Sequence, residues 1–479
     1  MKFVVRTVVL LLIVNVLLVY MHYKQAGDTF AKGTESLTYD QEIEVINRTD
    51  ALYIRHHFSG LSSGRHEIVW PEASVDRSCY LADATSCDRL DEEAFAFLDG
   101  ENGRQSISYK IPKKGSMKQT ALFKEPFVVL HGYSAESTLF HMTDETGIGG
   151  LWVNGLEQVG TKKMELVDYT LFRGWGEVYD LYWQRNELPL FYTGDKLSVF
   201  GVSGNIDGLE EVDQALQAVE ANHSTVVIDK KNPTVESTRF IVSGNADVGK
   251  VTHSFLITSM NTRFSIPPKE RMIAEVMASI LGEKATGSDK SRIAYRKLTE
   301  AITAEELVRL KELINGKVGQ EMDAAVLDEL VGEATGFKTS YFTKNVHRET
   351  ANYPFIIEDP RKIRFGGTEQ PDIGVILKDG KVLYPAKKLL SLAGYTVKSN
   401  EQSIYIESDT RQFRFPKKEL FYVYNERKYN VGEMPFEVLD GDFYFEESWL
   451  QRLFLLTIEK KADTIDIESI SSQLREVTE

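Results

Sequence analysis

Ser106-Ile107-Ser108-Tyr109-Lys110-Ile111 alternates small or charged side chains with large apolar ones. A period of two places Ile107, Tyr109 and Ile111 on one face of a strand, the pattern of a sheet with one face on a core and the other in water. Outward from this stretch, similar short runs recur in Tyr53-Ile54-Arg55-His56-His57-Phe58, Phe127-Val128-Val129-Leu130, Val178-Tyr179-Asp180-Leu181-Tyr182-Trp183 and Lys196-Leu197-Ser198-Val199-Phe200. Gly, Pro and Asp punctuate them, so residues 37–205 read as a mainly-β domain, an antiparallel sandwich or similar sheet.

Beyond residue 205 the period lengthens. Leu209, Val212, Ala215, Leu216 and Val219 share one helical face, followed by strand-like 224–228, 238–242 and 253–258. Pro267-Pro268 opens a helical stretch in which Ile273, Val276, Met277, Ile280 and Leu281 recur at three and four. Helices follow over 292–302, after Thr303-Ala304-Glu305-Glu306 (a capping pattern) and over 323–333. Residues 206–352 thus form a mixed, then helical domain, and the Pro, Gly and charges of 353–371 suit a linker.

The 479 residues are 42% apolar and 27% charged, which excludes global disorder and suggests about three folded units. A net charge of −15 repels a phosphate backbone, so nucleic acid is excluded as a partner. At the amino end, residues 7–21 carry no charge, and Phe3 to Tyr23 is long enough to span a bilayer. Lys2 and Arg6 before it predict a transmembrane anchor over 1–23, a tether over 24–36 and an outward-facing remainder. The alternative is a signal peptide cleaved near Thr29-Phe30-Ala31 and a secreted chain.

In residues 372–479 two segments repeat at an offset of 60 to 61 residues. Asp379-Gly380 answers Asp440-Gly441, Tyr384 answers Tyr444, Leu390 answers Leu450, and Ile404 to Ser408 answers Ile465 to Ser469. With Leu383-Tyr384-Pro385, Leu389-Leu390, Ala393-Gly394-Tyr395-Thr396-Val397 and Ser403-Ile404-Tyr405-Ile406, the first copy resembles the bacterial stalk domain related to the amino-terminal domain of copper amine oxidases. The second copy has Phe445 in place of the proline and Phe454 in place of the glycine. The resemblance implies an extracellular α+β module in a Gram-positive-type envelope; it does not imply copper. The fold class is therefore multidomain α+β.

Candidate chemistry is sparse. Val129-Leu130-His131-Gly132 resembles the strand end that forms an oxyanion hole in α/β-hydrolases, and Gly201-Val202-Ser203-Gly204-Asn205 approximates a nucleophile elbow that lacks its last glycine. In chain order Ser203, Asp229 and His253 would complete a triad, but the antiparallel runs between the motifs and the residues after Asn205 fit a strand and turn. Gly244-Asn245-Ala246-Asp247-Val248-Gly249-Lys250 begins like a phosphate loop, yet Val251 stands where Ser or Thr must hold magnesium, and a strand is expected next.

His66-Glu67-Ile68-Val69-Trp70 fails the zinc-protease spacing at Trp70, and no two of the nine histidines share a helical face four apart. His56 and His57 should point to opposite faces of a strand. Ala274-Glu275-Val276-Met277-Ala278 sits where a metallopeptidase carries its zinc helix but has no histidine, as in a catalytically dead relative. Asp144 and Glu145, near Gly174-Trp175-Gly176-Glu177, combine acids with aromatics as sugar and peptide sites do; being adjacent, they should diverge.

These features favour a membrane-anchored, extracytoplasmic cell-envelope protein that works by binding or assembly on an envelope protein or polysaccharide, with no catalytic centre, cofactor or metal. The alternatives are a serine hydrolase using Ser203 or a catalytically dead peptidase relative. Only Cys79 and Cys87 occur, separated by seven residues. Outside the cell they can close a local disulfide worth ~2 kcal/mol in the chain-entropy model; the alternative is two buried thiols. Alkylation of the non-reduced protein should leave both unmodified, and two alkylated thiols before reductant would refute the bond.

Overall fold

The computed structural model describes residues 37–80, 89–100, 103–113, 115, 117–202, 206–245, 247–349, 354–378, 380–439 and 441–469. The chain forms two compact units, Met1–Ser259 and Met260–Glu479, with the division falling inside a helix.

In the first unit a seven-stranded sheet has the order Glu157–Lys163, Asp168–Trp175, Tyr133–Asp144, Leu37–Asn47, Ala51–Ser59, Gln105–Pro112, Val75–Cys79. Ile107, Tyr109 and Ile111 face inward and join Ile43, Val45, Ile54, Phe58 and Phe140 in one core. Trp152 and Trp183, from a three-stranded sheet of Leu151–Val153, Leu181–Gln184 and Thr120–Phe123, complete it. Each such side chain contributes about 1.5–3 kcal/mol by leaving water. The antiparallel expectation is corrected where Leu37–Asn47 runs parallel to Tyr133–Asp144. These strands are far apart in sequence, so no tight turn forces them antiparallel.

A second sheet of this unit has the order Leu190–Thr193, Leu197–Gly201, Ser224–Ile228, Phe240–Ser243, Val235–Glu236, with the middle three parallel. Helix α1, Leu209–Ala218, connects the first two of those and buries Leu209, Val212 and Leu216. This sheet crosses residue 205, which corrects the expected boundary between domains 37–205 and 206–352. Helix α2, Val248–Arg263, replaces the strand expected at 253–258. Val251, Phe255, Leu256, Ser259 and Met260 are buried at helical spacing, and that packing outweighs the strand propensity of Val251, Thr252, Ile257 and Thr258.

The second unit opens with a 3-10 turn, Pro268–Glu270, and helix α3, Arg271–Leu281. Helix α4, Asp289–Ala301, is capped by the Ser288 side chain. Helix α5, Ala304–Asn315, carries the capping box of Thr303 and Glu306, and α6, Ala324–Thr335, starts on the Asp323 carboxylate. Helix α7, Tyr341–Asn345, follows.

The expected linker 353–371 is corrected: Lys362–Phe365 lies parallel to Thr464–Ser469, and Ile363 sits in the core beneath it. The duplication is a pair of hairpin-helix-hairpin units. Ile376–Lys378, Lys381–Pro385, α8 (Ala386–Leu392), Thr396–Ser399 and Ser403–Glu407 match Phe436–Leu439, Asp442–Glu446, α9 (Glu447–Phe454), Leu456–Lys460 and Thr464–Ser469. Tyr384 pairs with Phe445, flanked by Leu383 with Glu446 and Pro385 with Tyr444. Equivalent residues therefore meet around a local two-fold axis at an offset of 61, so Phe445 answers Tyr384, while Glu446 and Leu455 stand in for Pro385 and Gly394.

The fold class is corrected at the amino end. Among the described residues no helix is long and apolar enough to cross a membrane, and the run 7–21 lies outside them. The described chain is a sheet-rich, mixed multidomain fold.

Leu455 ends α9 with φ 54°, where the first copy has Gly394 at φ 84°. A Cβ is strained in the left-handed region, and this side chain is 40% exposed. Leu455→Gly should raise the stability of the second unit by about 1 kcal/mol, read as a higher urea midpoint at unchanged slope.

Candidate functional site

The alternative triad comprises Ser203, Asp229 and His253. Ser203 lies outside the described residues. Asp229, buried after the strand Ser224–Ile228, accepts from Gln184 Nε2 (3.3 Å), Asn186 Nδ2 (3.0 Å), Asn232 Nδ2 (3.2 Å) and the Lys231 amide (2.9 Å). Its carboxylate thus pins the loop after its strand, and none of these bonds involves His253, which sits on α2. His131 and the left-handed Gly132 form the exposed turn between Val129–Leu130 and Tyr133–Asp144.

A different serine and histidine do meet. Ser198 Oγ lies 3.0 Å from His223 Nε2, and His223 Nδ1 lies 2.9 Å from the Gly155 carbonyl. A carbonyl only accepts, so Nδ1 carries the proton and Nε2 accepts from the serine. Burial pushes the ring down to about 4, and it stays neutral. A base beside a hydroxyl is the chemistry of an activated nucleophile. Here both residues are buried in the sheet, a carbonyl replaces the orienting acid, and the pair holds strands together. Sequence spacing could not show it; parallel pairing of Leu197 with Ser224 creates it.

Around this pair the polar interior continues. Arg239 is buried and donates from Nη1 to the carbonyls of Trp175 (2.9 Å) and Glu177 (2.8 Å) and from Nε to that of His223 (3.1 Å). Burial lowers its pKa to about 10. Glu177, raised by burial, accepts from the Tyr39 hydroxyl (3.0 Å) and the Ala135 amide (2.7 Å).

Two helices bear on zinc chemistry, which needs histidines one turn apart with a glutamate beside the first. Helix α2 presents His253 with Ser254 and Ile257 at those positions, a frame hidden while the segment reads as a strand. Helix α3 presents Ala274 and Ala278, both buried, around Glu275. The Glu275 carboxylate accepts from Ser288 N (2.9 Å), Ser288 Oγ (2.6 Å), Ser291 Oγ (2.6 Å) and Arg271 Nε (3.1 Å). It therefore sits at the amino end of α4, where unsatisfied amides and the dipole favour a carboxylate. Among the described residues no three His, Cys, Asp or Glu could hold a metal ion.

The remaining motifs resolve structurally. His66 bonds the Ser62 carbonyl (2.8 Å), and His56 and His57 have separate partners in Gln41 and Ser106, each at 2.8 Å. Asp144 turns inward to Asn47 (2.9 Å) and Trp152, while Glu145 turns outward to Arg48 (2.8 Å), so the two acids diverge. A helix, not the expected strand, starts at Val248 within this motif, but the Asp247 carboxylate occupies its amino end by accepting from the Lys250 amide at 3.1 Å. A carboxylate there repels phosphate. Cys79, at the end of its strand, is disulfide-bonded; Cys87 lies outside the described residues.

The first unit also carries an open groove of about 1530 Å³, walled by Trp70, Met117, Phe123, Phe127 and Tyr179. Aromatic walls of this kind suit the faces of sugars or the side chains of a peptide.

No protein-family model matches the chain, and no curated protein matches it. A mutant M1 zinc metallopeptidase from Deinococcus radiodurans is 10% identical over 67% of this chain and 96% of its own, with a TM-score of 0.44. Legionella pneumophila aminopeptidase A in complex with aspartic acid is 10% identical over 82% of this chain and 53% of its own, with a TM-score of 0.43. Similarity at this level transfers neither activity nor ligand.

The two buried rings give a pH test. Burial holds His56 at about 3 and His223 at about 4, both below the unfolded value of about 6.5. Below pH 6.5 the unfolded chain binds the extra protons, so stability present above that pH is lost as pH falls toward 4. The slope is about 1.4 kcal/mol per pH unit for each histidine. Urea midpoints between pH 7 and 5 should fall more steeply in the native protein than in His223→Gln; equal slopes would refute the assignment.

Proposed function

We propose that this chain is a catalytically silent relative of the zinc peptidases that works by binding. The observation that carries the reading is Glu275: a carboxylate in a zinc-helix-like frame, flanked by Ala274 and Ala278, spends its hydrogen bonds on Ser288 and Ser291 at the head of α4. Without two histidines one turn apart, a helix cannot supply the ligands that position a metal-bound water. On α2 the same frame retains His253 alone, with Ile257 in the second position. The aromatic groove of the first unit is the surface we assign to binding, with an envelope protein or polysaccharide as partner. The disulfide at Cys79 supports an extracytoplasmic setting, because such bonds persist in oxidising compartments.

Three measurements on the purified full chain test this reading. Loaded with zinc and then desalted, it should retain under about a tenth of an equivalent. It should leave aminoacyl and peptide nitroanilides intact, and a fluorophosphonate should not label it. Stoichiometric zinc with chelator-sensitive hydrolysis would overturn the proposal, as would labelling that disappears in Ser203→Ala.

A further inference from the structure

In the second unit the first copy of the duplication continues past Ser403–Glu407 into Gln412–Pro416, Phe421–Tyr424 and Arg427–Asn430, which with Thr396–Ser399 make a five-stranded antiparallel sheet. Ile404, Ile406, Phe413 and Phe415 point into the core, and Tyr422 and Tyr424 pack against it. The residues between them therefore stand on the opposite face. Register sets five of these in one row across the strands, in the order Lys398, Tyr405, Arg414, Val423 and Lys428, each opposite the next. The three cations are exposed, and Tyr405 and Val423 are half-buried. With strands about 4.8 Å apart and one uncharged residue between successive cations, positive charge recurs along the row about every 9.6 Å.

Elsewhere in this unit cations are matched: Arg361 by Asp359, Lys362 by Glu369, Lys378 by Glu437, Lys381 by Glu433 and Lys461 by Asp466. Lys398, Arg414 and Lys428 have no ion-pair partner among the described residues. Lys428 lies over the Phe421 ring, 3.8 Å from its centroid, which holds it on this face. The carboxylates beside the row are Glu407, opposite Thr396 and Gln412, and Glu426, in the turn before Arg427. Residues 396–430 still hold seven Lys and Arg against five Asp and Glu, while the whole chain carries −15. An unmatched positive row on an acidic protein is a local attractor for anions.

We propose that this face binds a linear acidic polysaccharide laid across the strands, with its carboxylates on Lys398, Arg414 and Lys428 and a sugar ring against Tyr405. Cations in single file complement a chain that carries negative charge along its length. A peptide gains most at a strand edge, where its backbone finds partners, and a sheet face offers it none. A polysaccharide needs no backbone partner: its rings stack on aromatic side chains, and its hydroxyls bond to polar ones such as Gln412 and Asn430 in the flanking rows. Three basic groups give an anionic bilayer only a marginal hold. This surface is separate from the groove of the first unit, and its binding does not depend on the groove's.

The full chain is run on native gels containing polygalacturonate, with gels of its full methyl ester as the uncharged counterpart. Polygalacturonate should retard the native chain, the ester should not, and the retardation should fade as salt approaches about 0.5 M. Exposed ion pairs are each worth up to about fivefold, so Lys398→Gln with Arg414→Gln should weaken binding roughly tenfold. Lys387→Gln with Lys388→Gln removes the same charge from exposed positions on α8 and should leave binding unchanged. No retardation, equal retardation by the ester or equal losses in the two double variants overturns the proposal. So does binding to polyglutamate or to anionic lipid vesicles that is at least as strong and is lost in Lys398→Gln with Arg414→Gln, since the partner is then a peptide or a membrane. If that variant fails to fold, carbodiimide coupling of a galacturonate oligomer to the native chain decides. Adducts should map to Lys398 or Lys428, and adducts only elsewhere, or none, refute the face.

Discussion

The first unit depends on the buried cation Arg239. Arg239 has left water entirely, and an unmet guanidinium there would cost several kcal/mol. Its Nε and Nη1 are met by carbonyls from the turn at Trp175 and Glu177 and from His223 at the edge of the parallel sheet, while Nη2 has no hydrogen-bond partner among the described residues. Those acceptors belong to different layers, so the demand of one side chain fixes the seven-stranded sheet against the five-stranded one. Gly155 is the counterpart of this constraint. A Cβ there would lie 2.2 Å from the Cβ of Arg239, and its φ of 87° already excludes most residues. Its carbonyl in turn orients His223, so the close approach and the hydrogen bond reinforce each other.

The same economy governs the groups that could have done chemistry. Ser198 and His223, Asp229 and its amides, and Glu275 and its serines are pairings that elsewhere serve catalysis or metal binding. Here each is buried and satisfied by neighbours that hold secondary structure in place. A group whose lone pairs are already filled has no capacity left for a transition state. Such arrangements rigidify a fold.

Much of the architecture was legible because periodicity is a local property. Ile107, Tyr109 and Ile111, the α1 stripe, the Thr303 box and the repeated Ile-x-Ile strands each announce burial within a few residues of themselves. What escaped was non-local. The parallel pairing of Leu37–Asn47 depends on a partner about a hundred residues away, and Lys362–Phe365 finds Thr464–Ser469 across a similar gap. Helix α2 escaped for another reason: its β-branched residues favour a strand, and only the packing of Phe255, Leu256 and Met260 makes it helical. At the candidate sites, the residue types showed which chemistry was incomplete. They could not show that Ser198 would meet His223, since that follows from the parallel pairing of two strands.

The local two-fold at Tyr384 and Phe445 has its own consequence. Two hairpin-helix-hairpin copies that pair strand to strand are, in geometry, a dimer written into one chain. A free half would need a second molecule, and its folding would vary with concentration. Joined in tandem, each half meets the other at an effective concentration set by the connection alone. The joining also releases the halves from identity. Only one side of the axis keeps a hydroxyl, which Tyr384 donates to Glu447 at 2.8 Å, and among the described residues only the first copy extends its final hairpin, through Gln412–Pro416 to Arg427–Asn430. A symmetric dimer would carry every such change twice, whereas a fused pair can specialise one face while the other preserves the fold.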